Sequence, residues 1–171
     1  MNAPRTIILM GVSGSGKTSV GLALSEALGW PFFDGDDFHP EANVAKMAAG
    51  HPLNDDDRAL WLEILHELIR DHLKDKNSLV LACSALKEKY RAQLADGNPG
   101  TIFVHLRGDF DLIWQRMMAR SDHYMQVGML RSQFEILETP REAIVVGVDK
   151  TVELITKEIL SQLYSRSQKG H

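Results

Sequence analysis

Eight residues, Gly11-Val12-Ser13-Gly14-Ser15-Gly16-Lys17-Thr18, set glycines, a lysine and a hydroxyl in the spacing G-x-x-x-x-G-K-[ST]. That spacing suits a polyphosphate held without its water shell. Glycines let main-chain N–H groups close on phosphate oxygens through conformations that side chains resist. Lys17 supplies a mobile positive charge for the outer phosphates, and the Thr18 hydroxyl can ligate Mg²⁺. A helix starting just behind the loop would aim its positive end at the same anion. A second group of chemistry-bearing residues is Asp34-Gly35-Asp36-Asp37. Three carboxylates crowded together repel one another unless a cation or a reacting hydroxyl gives them work. A carboxylate beside an alcohol can take its proton and hold it in line for phosphoryl transfer. Asp34 and Asp36 alternate along extended chain, so one faces the acceptor and one the metal shell. Alternation does not say which.

These residues need a scaffold that brings distant loops to one edge. Five short apolar runs supply it: Ile7–Met10, Pro31–Phe33, Leu79–Cys83, Ile102–Leu106 and Ala143–Val148. Runs without period-two alternation suit strands covered on both faces of a parallel sheet. Helical patterns lie between them. Val20, Leu24 and Leu28 share one face of a helix over Ser19–Leu28, stopped by Gly29. Leu62, Leu65, Ile69 and Leu73 mark a helix starting near Asn54, and Val152, Ile155, Ile159 and Leu163 mark the last one. The alternation implies an α/β fold with right-handed crossovers and ligands at the carboxyl ends of the strands. The tail Ser165–His171 is polar and reads as frayed. Residues 120–140 break the rhythm between the fourth and fifth strands. With Arg116, Arg120 and Arg131 in or beside it, this segment reads as a lid or as a solvated helical pair.

Totals narrow the function classes. The chain has 171 residues, 44% hydrophobic and 25% charged, which fits one soluble domain over 1–171. A net charge of −4 gives no reason to expect nucleic acid or an anionic membrane as partner. No apolar run approaches the roughly 20 residues of a membrane span. One cysteine, Cys83, excludes an internal disulfide and suggests a reducing compartment. Nothing before the first strand reads as a signal peptide, so the expected setting is cytoplasmic. The third run ends Ala82-Cys83-Ser84 and the fourth Leu106-Arg107-Gly108, without the strand-end acid usual in nucleotide hydrolases. A small hydroxy acid as acceptor would need a cation, and Arg58, Lys87 and Arg91 are candidates. Cys83, Trp61, Trp114, Met117 and Met118 read as packing.

Several blocks together resemble the gluconate kinase family, within the small phosphate-loop kinases that include shikimate kinase. They are Gly11–Thr18, Asp34–Pro40, Asn43–Met47, Gly50–Arg58 with Trp61-Leu62, Cys83–Lys87 with Tyr90-Arg91, His123–Met125, Ser132–Phe134 and Leu137-Glu138. The resemblance implies ATP-dependent phosphorylation of D-gluconate at its 6-hydroxyl, with Mg²⁺. It implies a P-loop NTPase-type three-layer α/β/α fold, five parallel strands in the order 2-3-1-4-5, a small helical lid and a homodimer. Gly11, Ser13, Gly14, Ser15, Gly16, Lys17, Thr18, Ser19 and Arg116 are then the nucleotide contacts. Thr18 and Asp34 are the metal residues, and Lys17, Asp34, Asp36 and Arg120 are the catalytic set. Asp36, His39, Lys46, Arg58, Ser84, Lys87, Arg91, His123 and Gln133 would bind substrate. Two competing readings remain: a kinase of another small hydroxylated acceptor, and a nucleotide-binding regulator without catalysis. The Cys83–Lys87 block, where shikimate kinases carry a glycine-rich element, speaks against shikimate.

Overall fold

A computed structural model of the chain describes residues 3–120 and 127–170. Five parallel strands form one sheet: β1 (Thr6–Met10), β2 (Phe32–Asp34), β3 (Leu79–Ala82), β4 (Thr101–Arg107) and β5 (Ile144–Gly147). Their spatial order is β2-β3-β1-β4-β5, as the family resemblance implies. β1 is central, with Ile8 level with Leu81 of β3 and Phe103 of β4. Its residues point alternately to two cores. Ile7 and Leu9 join Val20, Leu24, Ile155 and Ile159 on one face. Ile8 and Met10 join Trp61, Leu62, Leu65, Ile69 and Tyr90 on the other. Burial on both faces explains why the strands read as apolar runs rather than alternating ones.

The helices are α1 (Lys17–Leu28), α2 (Glu41–Ala48), α3 (Asp55–Lys74), α4 (Glu88–Ala95), α5 (Phe110–Met118), α6 (Val127–Ile136) and α7 (Val152–Lys169). The α1 pattern places Val20 and Leu24 at zero exposure, and Gly29 ends the helix in a left-handed conformation. α3 starts with a reciprocal cap. Asn54 Oδ1 accepts from the Asp57 N–H (2.8 Å), and Asp57 Oδ2 accepts from the Asn54 N–H (2.9 Å). The tail departs from the frayed reading, because α7 runs on through Ser165 to Lys169. Leu163 buries the last apolar turn, and Arg5 Nη1 donates to Ser167 Oγ (3.1 Å), tethering the polar end to the start of β1. Among the described residues, no helix is long and apolar enough to cross a membrane.

Between β4 and β5 lie α5 and α6, of which only α6 falls within residues 120–140, the place of the expected lid. A third apolar cluster joins them to the phosphate-loop end of the sheet: Val12, Leu86, Ile113, Met117 and Leu130. His123 and the rest of 121–126 lie outside the described residues.

Candidate active site

The loop from Gly11 to Gly16 leaves β1 at the carboxyl edge of the sheet and turns directly into α1. Gly14 sits at φ 79, and a Cβ there would come within 2.6 Å of Met117 Cγ, so both backbone shape and space demand glycine. The Gly11 N–H donates to Ser84 O (3.2 Å), which ties the loop to the end of β3. Lys17 Nζ reaches back to Gly11 O (3.0 Å) and Val12 O (2.8 Å). Burial pushes the Lys17 ammonium below its ordinary value, against the pull first of Asp36, then of Cys83 and Asp34. Behind the loop, Gly14, Ser15, Gly16 and Ser19 share a hollow with Arg116, Arg120 and Lys150-Thr151. Sequence reasoning missed Lys150 and Thr151. Their place after the fifth strand, beside the phosphate loop in a parallel sheet, was the available signal.

The chain after β2 separates the two acids. Asp34 Oδ2 accepts from Thr18 Oγ1 (2.8 Å), and its Oδ1 accepts from the Asp36 N–H (3.0 Å), capping a 3-10 turn over Gly35–Phe38. That turn packs hard against β3. A Cβ on Gly35 would stand 2.6 Å from Ala82 O, and Gly35 O accepts from Trp61 Nε1 (2.7 Å). Asp36 therefore projects into a cleft with Lys17, Ser13, Ser84 and Gln133. The cleft walls raise its carboxyl above the ordinary carboxylate range by desolvation. Lys17 opposes the rise, while Asp34 and Asp37 add to it. The side chain is still 80% accessible across the cleft mouth, so water screens the effect. Thr18 and Asp34 offer hard oxygen donors side by side at a helix start, which fits a small divalent cation held otherwise by phosphate and water. No cluster of three or more His, Cys, Asp or Glu that could hold a metal exists among the described residues.

His39, Arg58, Trp61, Met47, Pro52 and Leu53 also line the cleft, with Leu86, Met129 and Ser132 closing it from the β3 loop and α6. The His39 ring lies flat on Trp61 (4.2 Å between centres, 16° apart), and its Nδ1 meets Asn43 Nδ2 at 3.2 Å. With the imidazole only 4% exposed, burial and then Arg58 lower its pKa to about 4, so it is neutral at physiological pH. Arg58, itself 8% exposed, presents a cation on the cleft wall.

Three expected substrate contacts lie elsewhere. Lys46 Nζ is held by Asp57 Oδ2 (2.6 Å) and clamps α2 to the start of α3. Lys87 Nζ is held by Asp55 Oδ1 (2.9 Å). The 4% exposed Arg91 side chain donates to Ala85 O (2.7 Å), Glu88 Oε2 (3.0 Å) and Glu138 O (2.8 Å). None of the three lines the cleft. Their charges and donors are taken by partners that a linear sequence does not display. Gln133 does line it, with Oε1 accepting from the Ser13 N–H (2.6 Å). Cys83 is buried, and desolvation drives its thiol up to about 12, as an unreactive core residue should be.

Comparisons with known proteins identify the family. The shikimate kinase family profile matches residues 13–166. The thermoresistant gluconokinase of Escherichia coli (strain K12) is 43% identical, over 85% of this chain and 86% of its own. A probable gluconokinase of Mus musculus is 41% identical, over 95% of this chain and 100% of its own. The crystal structure of a gluconokinase from Sinorhizobium meliloti 1021 superposes with a TM-score of 0.89 at 40% identity, covering 99% of this chain and 97% of that one. A phosphate loop feeding a cleft with Asp36 and Arg58, set in this sheet order and matched along nearly the whole chain, makes the protein a kinase of the gluconokinase family, within the wider shikimate kinase family.

Proposed function

We propose that the chain, acting as one kinase domain, transfers the γ-phosphoryl group of ATP to the 6-hydroxyl of D-gluconate. The observation that carries this reading is the meeting of Lys17 and Asp36 in a cleft whose other described lysine or arginine is Arg58. Asp36 orients the acceptor hydroxyl and takes its proton as the oxygen–phosphorus bond forms and the bond to the departing ADP breaks. Lys17, released from Gly11 O and Val12 O, turns to the phosphates. Arg120, exposed at the rim of the nucleotide hollow, adds charge as the transferring group passes. Thr18 and Asp34 would hold Mg²⁺, which when bound neutralises phosphate charge and fixes its orientation. His39, Ser84 and Gln133 are placed to hydrogen-bond hydroxyls, and Arg58 to pair with the carboxylate. Buried polar groups of this kind reject acceptors that lack a matching hydroxyl.

The test is ADP release from MgATP with D-gluconate beside shikimate, glycerate, glucose and idonate. Turnover with gluconate and formation of 6-phosphogluconate are expected, with negligible ATPase in the absence of acceptor. Preference for another acceptor would move the substrate assignment, and silence with all of them would favour a nucleotide-binding regulator. We further infer a homodimer from the family resemblance, and a cytoplasmic setting from the lone cysteine, Cys83, which suggests a reducing compartment. Light scattering of the purified chain checks the first and fractionation of cells the second.

A further inference from the structure

Tyr90 stands on α4 behind the cleft wall, and no step above uses it. It is 4% exposed, and a tyrosine this deep needs partners for its hydroxyl. It has two of opposite kind. The oxygen accepts from Arg58 Nη1 (3.2 Å), and the hydroxyl donates to Asp55. The Arg58 guanidinium carbon also stands 5.5 Å from the centre of the Tyr90 ring. One side chain thus holds the guanidinium both by a hydrogen bond and through its aromatic face.

Asp55 has a second effect. It collects Lys87 Nζ on Oδ1 and Lys89 Nζ on Oδ2, at 2.9 and 2.5 Å. These bonds hold the Asp55 carboxyl well below the ordinary carboxylate range, Lys89 first, then Tyr90 and Lys87. Two neighbouring cations are thereby occupied, while the carboxylate reaches Arg58 only through a phenol. Among the described residues no carboxylate pairs with Arg58. Asp57 acts on Arg58 only at longer range, with its own carboxylate held by Lys46. A nearly buried guanidinium with no anion in contact is an unfinished site, because burial of a charge is costly until a counter-charge arrives.

We propose that Tyr90 is a positioning residue for acceptor recognition. It fixes the unpaired Arg58 guanidinium at the cleft wall while Asp55 occupies Lys87 and Lys89, so that the acceptor carboxylate meets one oriented cation. This rests on the sugar-acid reading given above and adds the residue that makes Arg58 selective.

A double-mutant cycle tests it with the full-length enzyme. Tyr90→Phe keeps the ring and removes the hydroxyl. The expected result is a rise of about tenfold in the KM for D-gluconate, with kcat within about twofold and the Kd for ATP unchanged. In an Arg58→Met background the same change should lower kcat/KM by less than about twofold, because Tyr90 acts through Arg58. An equal loss in both backgrounds, or no loss in the wild type, would overturn the proposal. Thermal melts of each variant separate a folding defect from lost recognition. If Tyr90→Phe melts early, Arg58→Lys takes its place, since it keeps the charge but loses the planar fork. It must show the same rise in KM with ATP binding intact, and a wild-type KM would overturn the proposal. A wild type inactive on gluconate but active on an uncharged acceptor would sink the sugar-acid reading and take the proposal with it. That failure appears without any variant.

Discussion

The two halves of the cleft are built on different principles. The nucleotide half is centred on one unbroken run, Gly11–Thr18, rich in backbone amides and shaped by glycine, with Arg116, Arg120 and Lys150 at its rim. The half proposed for the acceptor draws on side chains from Asp36 to Gln133, several of them held in place by other residues. His39 leans on Trp61 and Asn43, Asn43 on the Asp57 carbonyl, and Arg58 on Tyr90. A cradle of backbone suits any polyphosphate and is hard to retune. A wall of propped side chains can change its ligand by changing one prop. Relatives with this fold can therefore share the first half and differ in the second.

Substitutions can break that contrast or sharpen it. The largest effect is expected from Arg120→Ala. If Arg120 acts on the transferring group, kcat falls by about 10³–10⁵-fold while the KM for gluconate stays near wild type, in steady-state kinetics. A normal kcat would confine the nucleotide half to binding. Asp36→Asn comes next, with a loss of about 10²–10⁴-fold in kcat. Because desolvation raises the Asp36 carboxyl, the protonated, inactive form persists above the ordinary carboxylate range. The acid limb of kcat/KM should thus lie above the ordinary value of 3.8, with activity lost as pH falls through it, and the variant should lack that limb.

Gly14→Ala tests the backbone half alone. It meets both a φ of 79 and Met117, and should weaken ATP binding about 10- to 100-fold by calorimetry. Adding Met117→Ala removes the contact but not the strained φ, so only part of the affinity should return. Full recovery would mean that packing, not backbone shape, makes this position glycine. The smallest effect is Asn54→Ala, which removes half of the reciprocal cap on the helix carrying Arg58. It should cost about 1 kcal/mol in stability and about 2–4 °C in melting temperature, with ATP binding unchanged.

The same contrast explains what could be read without coordinates. The phosphate loop was legible because its chemistry is contiguous and its glycines have few other uses. Asp34 and Asp36 were legible as a pair at a strand end. Their division of labour was not, because it depends on a 3-10 turn and on Thr18 lying within 2.8 Å of Asp34. The strands and their order emerged from burial pattern and family resemblance. Arg58 stood out because a cation near a helix start has no reason in the helix dipole. Lys46, Lys87 and Arg91 looked alike in sequence, yet each is claimed by a partner 11, 32 or 47 residues away. Whether a cation faces a ligand depends on which acceptor reaches it first in three dimensions. The tail misled for a related reason, since its helix is held by Arg5, 162 residues back.

Arg91 carries a consequence for inheritance. Its guanidinium holds the carbonyl of Ala85, a residue without glycine's freedom at φ 44, and also that of Glu138, just past α6. The Glu138 N–H in turn donates to Leu86 O (2.8 Å). The loop after β3 and the root of α6 are thus stitched together from both sides. An α6 segment transplanted from a relative would arrive without its stitching unless Ala85, Leu86 and Arg91 travel with it. Two segments far apart in sequence are therefore inherited best together, and recombination that cuts between them should yield folded chains in which the loop after β3, which brings Ser84 and Leu86 to the cleft, no longer holds its shape.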